Sequence, residues 1–318
     1  MSNFVILDIY TRFDGALKGF YQVAADGISS YVVPVAWILL GICMLIWCYQ
    51  VIEGKVALPI TDWLPRFLGF LVALHVMGSG YLAWVAEPIF ALPAELTTAL
   101  SSSASGAPDL LGQVNEKVVD LVSAMFAAGS TLIAELAIGP AIALFLLGCL
   151  VIVATYLLLS VALFAIIFSK LGLSMVLAVG PLFLLALVLP QTRSYFHSWC
   201  STCLYFILYH ILSALFVFMF IGIVDSYVGT LNTSLGGLQG GGGVLNMVAN
   251  LLGVRGPGLN VAAITIPIVL IAMVMFFMFL QIPAMCASLS GGGGGSFGVG
   301  VVALMQARSP FRRSKSGD

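Results

Sequence analysis

The chain has 318 residues, of which 61% are hydrophobic and only 8% charged, with a net charge of −1. A soluble domain carries charge on about a quarter of its residues, and this chain has too little polar surface to cover a water-exposed globule. The near-neutral balance gives no hint of a basic nucleic-acid groove, and the composition points to an integral membrane protein.

No Asp, Glu, Lys or Arg lies between Glu135 and Lys170, between Lys170 and Arg193, between Arg193 and Asp225, or between Arg255 and Arg308. A membrane span needs about 20 mostly apolar residues. The runs therefore predict an all-α fold: a polytopic membrane helix bundle with about five transmembrane helices plus a re-entrant or kinked segment.

Residues 1–30 read as an amphipathic N-terminal helix. Within 4–24, Ile6, Tyr10, Phe13, Leu17, Phe20 and Ala24 recur at three or four. Asp14 and Lys18 form an i,i+4 pair on the other side. Five charges before residue 31 (Asp8, Arg12, Asp14, Lys18 and Asp26) are unlike a secretory leader. Such a helix lies on the membrane surface or packs on a neighbour.

Residues 31–288 form the transmembrane bundle. The first span is 32–52, and the second, 67–86, is rich in small residues (Gly69, Ala73, Gly78, Ser79, Gly80) that let helices approach closely. The segment 87–136 is the most polar. Its Ser-rich run 101–106 reads as a linker, and Pro108 and Asp109 can start a helix. Leu111, Val114, Val118, Leu121, Val122 and Met125 share one face of that helix, with Glu116, Lys117 and Asp120 mostly off it. Residues 137–168 are apolar throughout, and at 1.5 Å per residue a helix of this length is about 48 Å long against a hydrocarbon core of about 30 Å. One long helix that tilts or leaves the bilayer is expected. Further spans are 198–224 and 262–287. Between them runs a Gly-rich loop, 225–261, with a short helix at 244–252. Residues 289–318 are Gly-rich and then basic, a cytoplasmic tail ending in Arg308, Arg312, Arg313 and Lys315. No internal repeat is visible, which argues against the inverted-repeat transporters.

Charge counting leaves the topology open. Five spans with 171–189 re-entering place Lys55, Arg66, Lys170, Arg193 and the four tail residues inside, and Arg12, Lys18, Lys117 and Arg255 outside, 8 to 4. Six spans also divide 8 to 4 and also put the tail in the cytoplasm. The stretch that decides is GPLFLLALVLPQTRSYFHSW, residues 180–199. Pro181 has no backbone donor and clashes with the preceding turn, so a sharp bend is expected at Gly180-Pro181. Lys170 and Arg193 would then share one interface. Both points favour five spans.

The catalytic inventory is thin. His75, His197 and His210 have no carboxylate at helical spacing, so internally bonded histidines are the plainer reading; His210 could instead line a hydrophilic path. Cys200-Ser-Thr-Cys203 has the spacing of a redox or zinc motif but lacks a second pair and sits among apolar residues. The glycine runs 240–243 and 291–295 lack the Lys-Ser/Thr of a phosphate loop. No enzyme activity, cofactor or metal is expected, and energy for any work must come from other subunits. The aromatic and basic cluster at 193–199 reads equally as an interfacial belt or as a partner contact.

These residues also carry a likeness. Gly180, Pro181, Leu182 and Phe183, followed by Pro190, Thr192, Arg193, Phe196 and Trp199, resemble the signature of the TrbL/VirB-type polytopic inner-membrane subunit of conjugative type IV secretion systems. The ending QIPAMCASLSGGGGG is similar to a second element of that family, with Gln281, Pro283, Ala287, Gly291 and Gly292 as its matching positions. The resemblance covers roughly residues 30–295. It implies a bacterial inner-membrane channel or platform component, multi-pass, with the N-terminus periplasmic and the C-terminus cytoplasmic. The implied partners are its own copies in a homo-oligomeric ring (taken as a pentamer), the stalk or minor pilin, the major pilin, the inner-membrane scaffold, the ATPases and the lipid bilayer; contact with the transported DNA–relaxase is the least direct. The role implied is support of pilus assembly and of conjugative DNA–protein transfer. The segment 180–199 becomes the membrane bend and subunit contact, and Gly236, Gly237, Gly240, Gly241, Gly242 and Gly243 a periplasmic loop that meets partners. The competing class is a stand-alone multi-span transporter or permease, which needs a polar midplane site or a coupling ion; the spans hold no Asp or Glu to provide one.

Overall fold

The computed structural model describes residues 2–54, 60–78, 80–101, 107–134, 138–188, 192–239 and 261–291. Among the described residues the chain is all-α, without strands. In chain order the helices are α1 (Ser2–Ile52), α2 (Ile60–Met77), a π-helical turn (Tyr81–Ala86), α3 (Glu87–Ser101), α4 (Ala107–Ala134), α5 (Ile138–Ala178), α6 (Gly180–Val188), α7 (Arg193–Gln239), α8 (Val261–Phe279) and α9 (Ile282–Leu289). Four stretches are long and apolar enough to cross a membrane: 8–52, 145–178, 193–226 and 266–289. A fifth is added if the pair 68–77 and 81–99, bent by 90°, counts as one broken span.

The chain divides into two compact units. One comprises 1–15, 93–169 and 210–281, the other 16–92, 170–209 and 282–318.

In the first unit α4 presents the face its sequence marks. Leu111, Val114, Val118, Leu121, Val122 and Met125 are all buried, while Glu116 and Asp120 are exposed. The partner face belongs to α5. Phe126 lies over Gly148 and Phe145 lies over Gly129, with the two rings 5.3 Å apart. A glycine beneath each ring lets the two backbones close up, which is how helices without a hydrophobic driving force between them gain van der Waals contact. Buried Asn115 accepts a hydrogen bond from the Tyr156 hydroxyl at 2.9 Å. Lys117 pairs with Asp225 of α7.

In the second unit α1 buries Leu17, Tyr21, Ala25, Ser29, Val32, Ala36 and Leu40. Most steps are of four residues, so this stripe departs from the one read in the sequence: Phe20 is 51% exposed and Tyr21 fully buried. The helix expected near the N-terminus and the span expected from residue 32 are a single helix, because nothing between them breaks the ladder and Pro34 is absorbed within it. Tyr21 packs on Phe90 of α3 at 4.9 Å, and Lys18 pairs with Glu87 at 3.1 Å.

Two further boundaries differ from expectation. Helix α7 runs on to Gln239, through the first part of the loop expected at 225–261. Tyr227, Leu231, Leu235 and Leu238 keep a helical spacing there, and Gly costs only about 1 kcal/mol in a helix. The short helix expected at 244–252 and the tail from residue 292 lie outside the described residues. Helix α5 also extends beyond the expected 168 to Ala178, making 41 residues or about 62 Å. Lys170 therefore sits inside a helix and not at its end. It is 4% exposed, with Nζ 4.9 Å above the Phe90 ring, while Arg193 is exposed at the start of α7.

Candidate functional site

The signature stretch folds as a break between helices. Helix α5 stops at Ala178, Val179 forms a turn, and the nine-residue α6 restarts at Gly180. Residues 171–189 are thus the end of one long helix and a short one, not a span of their own; α6 is about 14 Å long, half the hydrocarbon core. The interruption falls two residues before Pro181, beside the position where proline removes a helical donor.

A broken helix leaves carbonyls without helical donors, and in a lipid-facing protein each must be met from within. In an unbroken helix the N–H of residue 181 would reach the carbonyl of Leu177, but residue 181 is proline. The Leu177 carbonyl instead accepts a hydrogen bond from the Tyr81 hydroxyl at 2.6 Å. The carbonyl of Val176, one residue earlier, accepts the indole N–H of Trp199 at 2.9 Å. Near the end of α6, the Ala186 carbonyl accepts from the Thr192 hydroxyl at 2.6 Å.

Packing fixes these donors. Trp199 is 4% exposed, stacked on Phe183 at 6.5 Å and tilted against Phe196 at 5.8 Å. Tyr81 is 1% exposed and opens the π-helical turn. That turn follows a second break at Gly78 and Gly80. A Cβ on Gly80 would stand 3.2 Å from the His75 carbonyl oxygen, and a Cβ on Gly180 would collide with the Tyr81 hydroxyl. Both glycines are there for close approach.

The second motif ends beside the first. The Leu280–Gln281 turn separates α8 from α9, and Pro283 lies in the first turn of α9, where a missing N–H costs nothing. Helix α9 closes with Ser290 N–H donating to the Cys286 carbonyl at 2.9 Å and with Gly291 at φ +76°, the left-handed residue that caps helix C-termini. The Ser201 hydroxyl of α7 donates to the carbonyl of Ser290, so the two motifs are joined.

The structure brings together Gly180, Pro181, Phe183, Thr192, Phe196 and Trp199. Arg193 is at the exposed start of α7, next to exposed Tyr195 and His197. Gln281 is exposed, and Pro283 is half-buried. Gly236 and Gly237 are helical, at the end of α7. Pro190, Gly240, Gly241, Gly242, Gly243 and Gly292 lie outside the described residues. Sequence reasoning missed Tyr81 and Ser201. For Tyr81 the available signal was Pro181, which strands one carbonyl and so calls for a donor from elsewhere.

The histidines have ordinary surroundings. His210 is buried, with Nδ1 3.0 Å from the Ser169 hydroxyl, which also donates to the Ile166 carbonyl at 2.7 Å. His75 borders an open cavity of about 240 Å³ with Trp37, Leu71, Leu74 and Gly78. Cys200 and Cys203 are free thiols, and among the described residues no group of three or more His, Cys, Asp or Glu comes together.

Long apolar helices broken at prolines and glycines, with the freed carbonyls capped by buried side chains, define a multi-pass α-helical membrane protein. The chain belongs to the TrbL/VirB6 plasmid conjugal transfer protein family, whose model matches residues 40–282. It is accordingly a component of conjugal transfer by type IV secretion, working in a membrane with other components of that system. The match includes the whole of 180–199 and Gln281 and stops short of Pro283 and Gly291. No curated protein sequence matches the chain.

Proposed function

We propose that the protein is a non-enzymatic platform in the bacterial inner membrane. It forms a homo-oligomeric ring at the base of the stalk and pilus and supports pilus assembly and DNA–protein transfer, driven by the system's ATPases. The observation that carries this reading is the division of labour within the family signature. Pro181, Phe183, Thr192 and Trp199 are committed to the helix break, whereas Arg193, Tyr195 and His197 stay exposed on the first turns of α7. The exposed part is left for a neighbouring copy or another secretion subunit. The stretches 145–178 and 266–289 hold no Asp or Glu and 193–226 holds only Asp225, next to its end, which favours a pilus-assembly scaffold over a wide aqueous conduit.

A photo-crosslinking residue at Tyr195 tests the contact in transfer-competent cells. Adducts to a second copy or to a secretion subunit are expected. Adducts to lipid alone, with normal transfer by Arg193→Ala, would remove the claim. Deleting 236–243 tests the periplasmic partner segment, and normal piliation and transfer would exclude it. Orientation is read by cysteine labelling, with Ser103 periplasmic and Ser194 cytoplasmic.

A further inference from the structure

We infer that Tyr81 is a positioning residue that stands in for the backbone N–H group missing at Pro181 and holds the helix break at Gly180-Pro181. The inference rests on the break mattering for the proposed function, but its stability test does not.

Leu177 is four residues before Pro181, the position whose helical donor proline deletes. Its carbonyl receives the Tyr81 hydroxyl at 2.6 Å. Leu177 is fully buried, so water is not at hand to serve its carbonyl. The neighbouring glycine belongs to the same arrangement, since a Cβ at Gly180 would occupy the place of the Tyr81 hydroxyl. The donor comes from outside the signature: Tyr81 is the first residue after the Gly78–Gly80 break, 96 positions from its acceptor in sequence. One broken helix thus completes the backbone bonding of another.

The consequence is a coupling. The Tyr81 hydroxyl matters only while residue 181 is proline. The test expresses Tyr81→Phe, Pro181→Ala and the double variant as full-length chains in a donor lacking the wild-type gene, and reads transfer efficiency at matched membrane abundance. Y81F is expected to lower transfer by roughly tenfold, the scale of one buried acceptor left unsatisfied. P181A in the Y81F background is expected to restore most of that loss, since alanine supplies the missing N–H. Wild-type transfer by Y81F, or a double variant no better than Y81F, would overturn the inference. If Y81F does not accumulate, the thermal midpoints of purified P181A and Y81F/P181A decide: equal midpoints support the coupling, and a further drop in the double variant overturns it.

Discussion

Trp199 of α7 donates its indole N–H to the carbonyl oxygen of Val176 at 2.9 Å, one turn before α5 breaks. The tryptophan that marks the signature is therefore an internal donor, not an interfacial anchor. Trp199→Phe keeps an aromatic against Phe183 and Phe196 but removes the donor. Leaving a buried acceptor unpaired costs about 1–3 kcal/mol, so a lowered thermal midpoint in detergent is expected. Trp199→Tyr is expected to recover less than half of it, because its hydroxyl sits at a different reach.

The α4–α5 contact makes a second prediction. A Cβ on Gly148 would stand 2.7 Å from the Phe126 ring. Gly148→Ala is expected to destabilise by about 1–3 kcal/mol through overpacking. Phe126→Leu should relieve it, so the double variant should be more stable than the sum of the singles; strict additivity in thermal unfolding would count against a direct clash.

Gly291 tests the end of the second motif. Its φ of +76° is left-handed, and Gly291→Ala is expected to cost about 1–2 kcal/mol from backbone strain alone. The nearest atom to a Cβ there is the Ser201 hydroxyl oxygen at 3.9 Å, so no steric clash contributes. Gly291→Asn, which tolerates this conformation better, should lie between wild type and alanine in the same melt.

Lys170 is buried with its ammonium 4.9 Å from the Phe90 ring centroid. A cation over an aromatic face contributes about 0.5–2 kcal/mol, more when desolvated. Phe90→Leu is expected to destabilise the wild type more than it destabilises Lys170→Met, by about 1 kcal/mol in a double-mutant cycle. Equal costs would mean that only the packing of Phe90 counts.

Much of the fold was legible because bilayer physics constrains sequence strongly. A charge-free apolar run has few options beyond a helix, and the α4 face could be read residue by residue from its period. Register along α1 was not, because Phe20 and Tyr21 are both apolar and only packing against Phe90 selects Tyr21. Within the site, the bend at Gly180-Pro181 was readable from proline covalent geometry. The fate of Lys170 was not: a lone lysine between apolar runs looks like a helix end, but α5 continues past it.

Sequence alone determined that this chain is a multi-span α-helical membrane protein, that a helix is interrupted beside Gly180-Pro181, and that its signature places it with the conjugal transfer family. Those conclusions follow from covalent chemistry and from the cost of charge in lipid, both of which are local. Only the tertiary structure decided which side chains serve the carbonyls at the end of α5. Tyr81 and Trp199 are 96 and 23 positions from their acceptors, and no local rule links such residues. What selects them is proximity in the folded chain, together with the requirement that a carbonyl shielded from water find its donor within the protein.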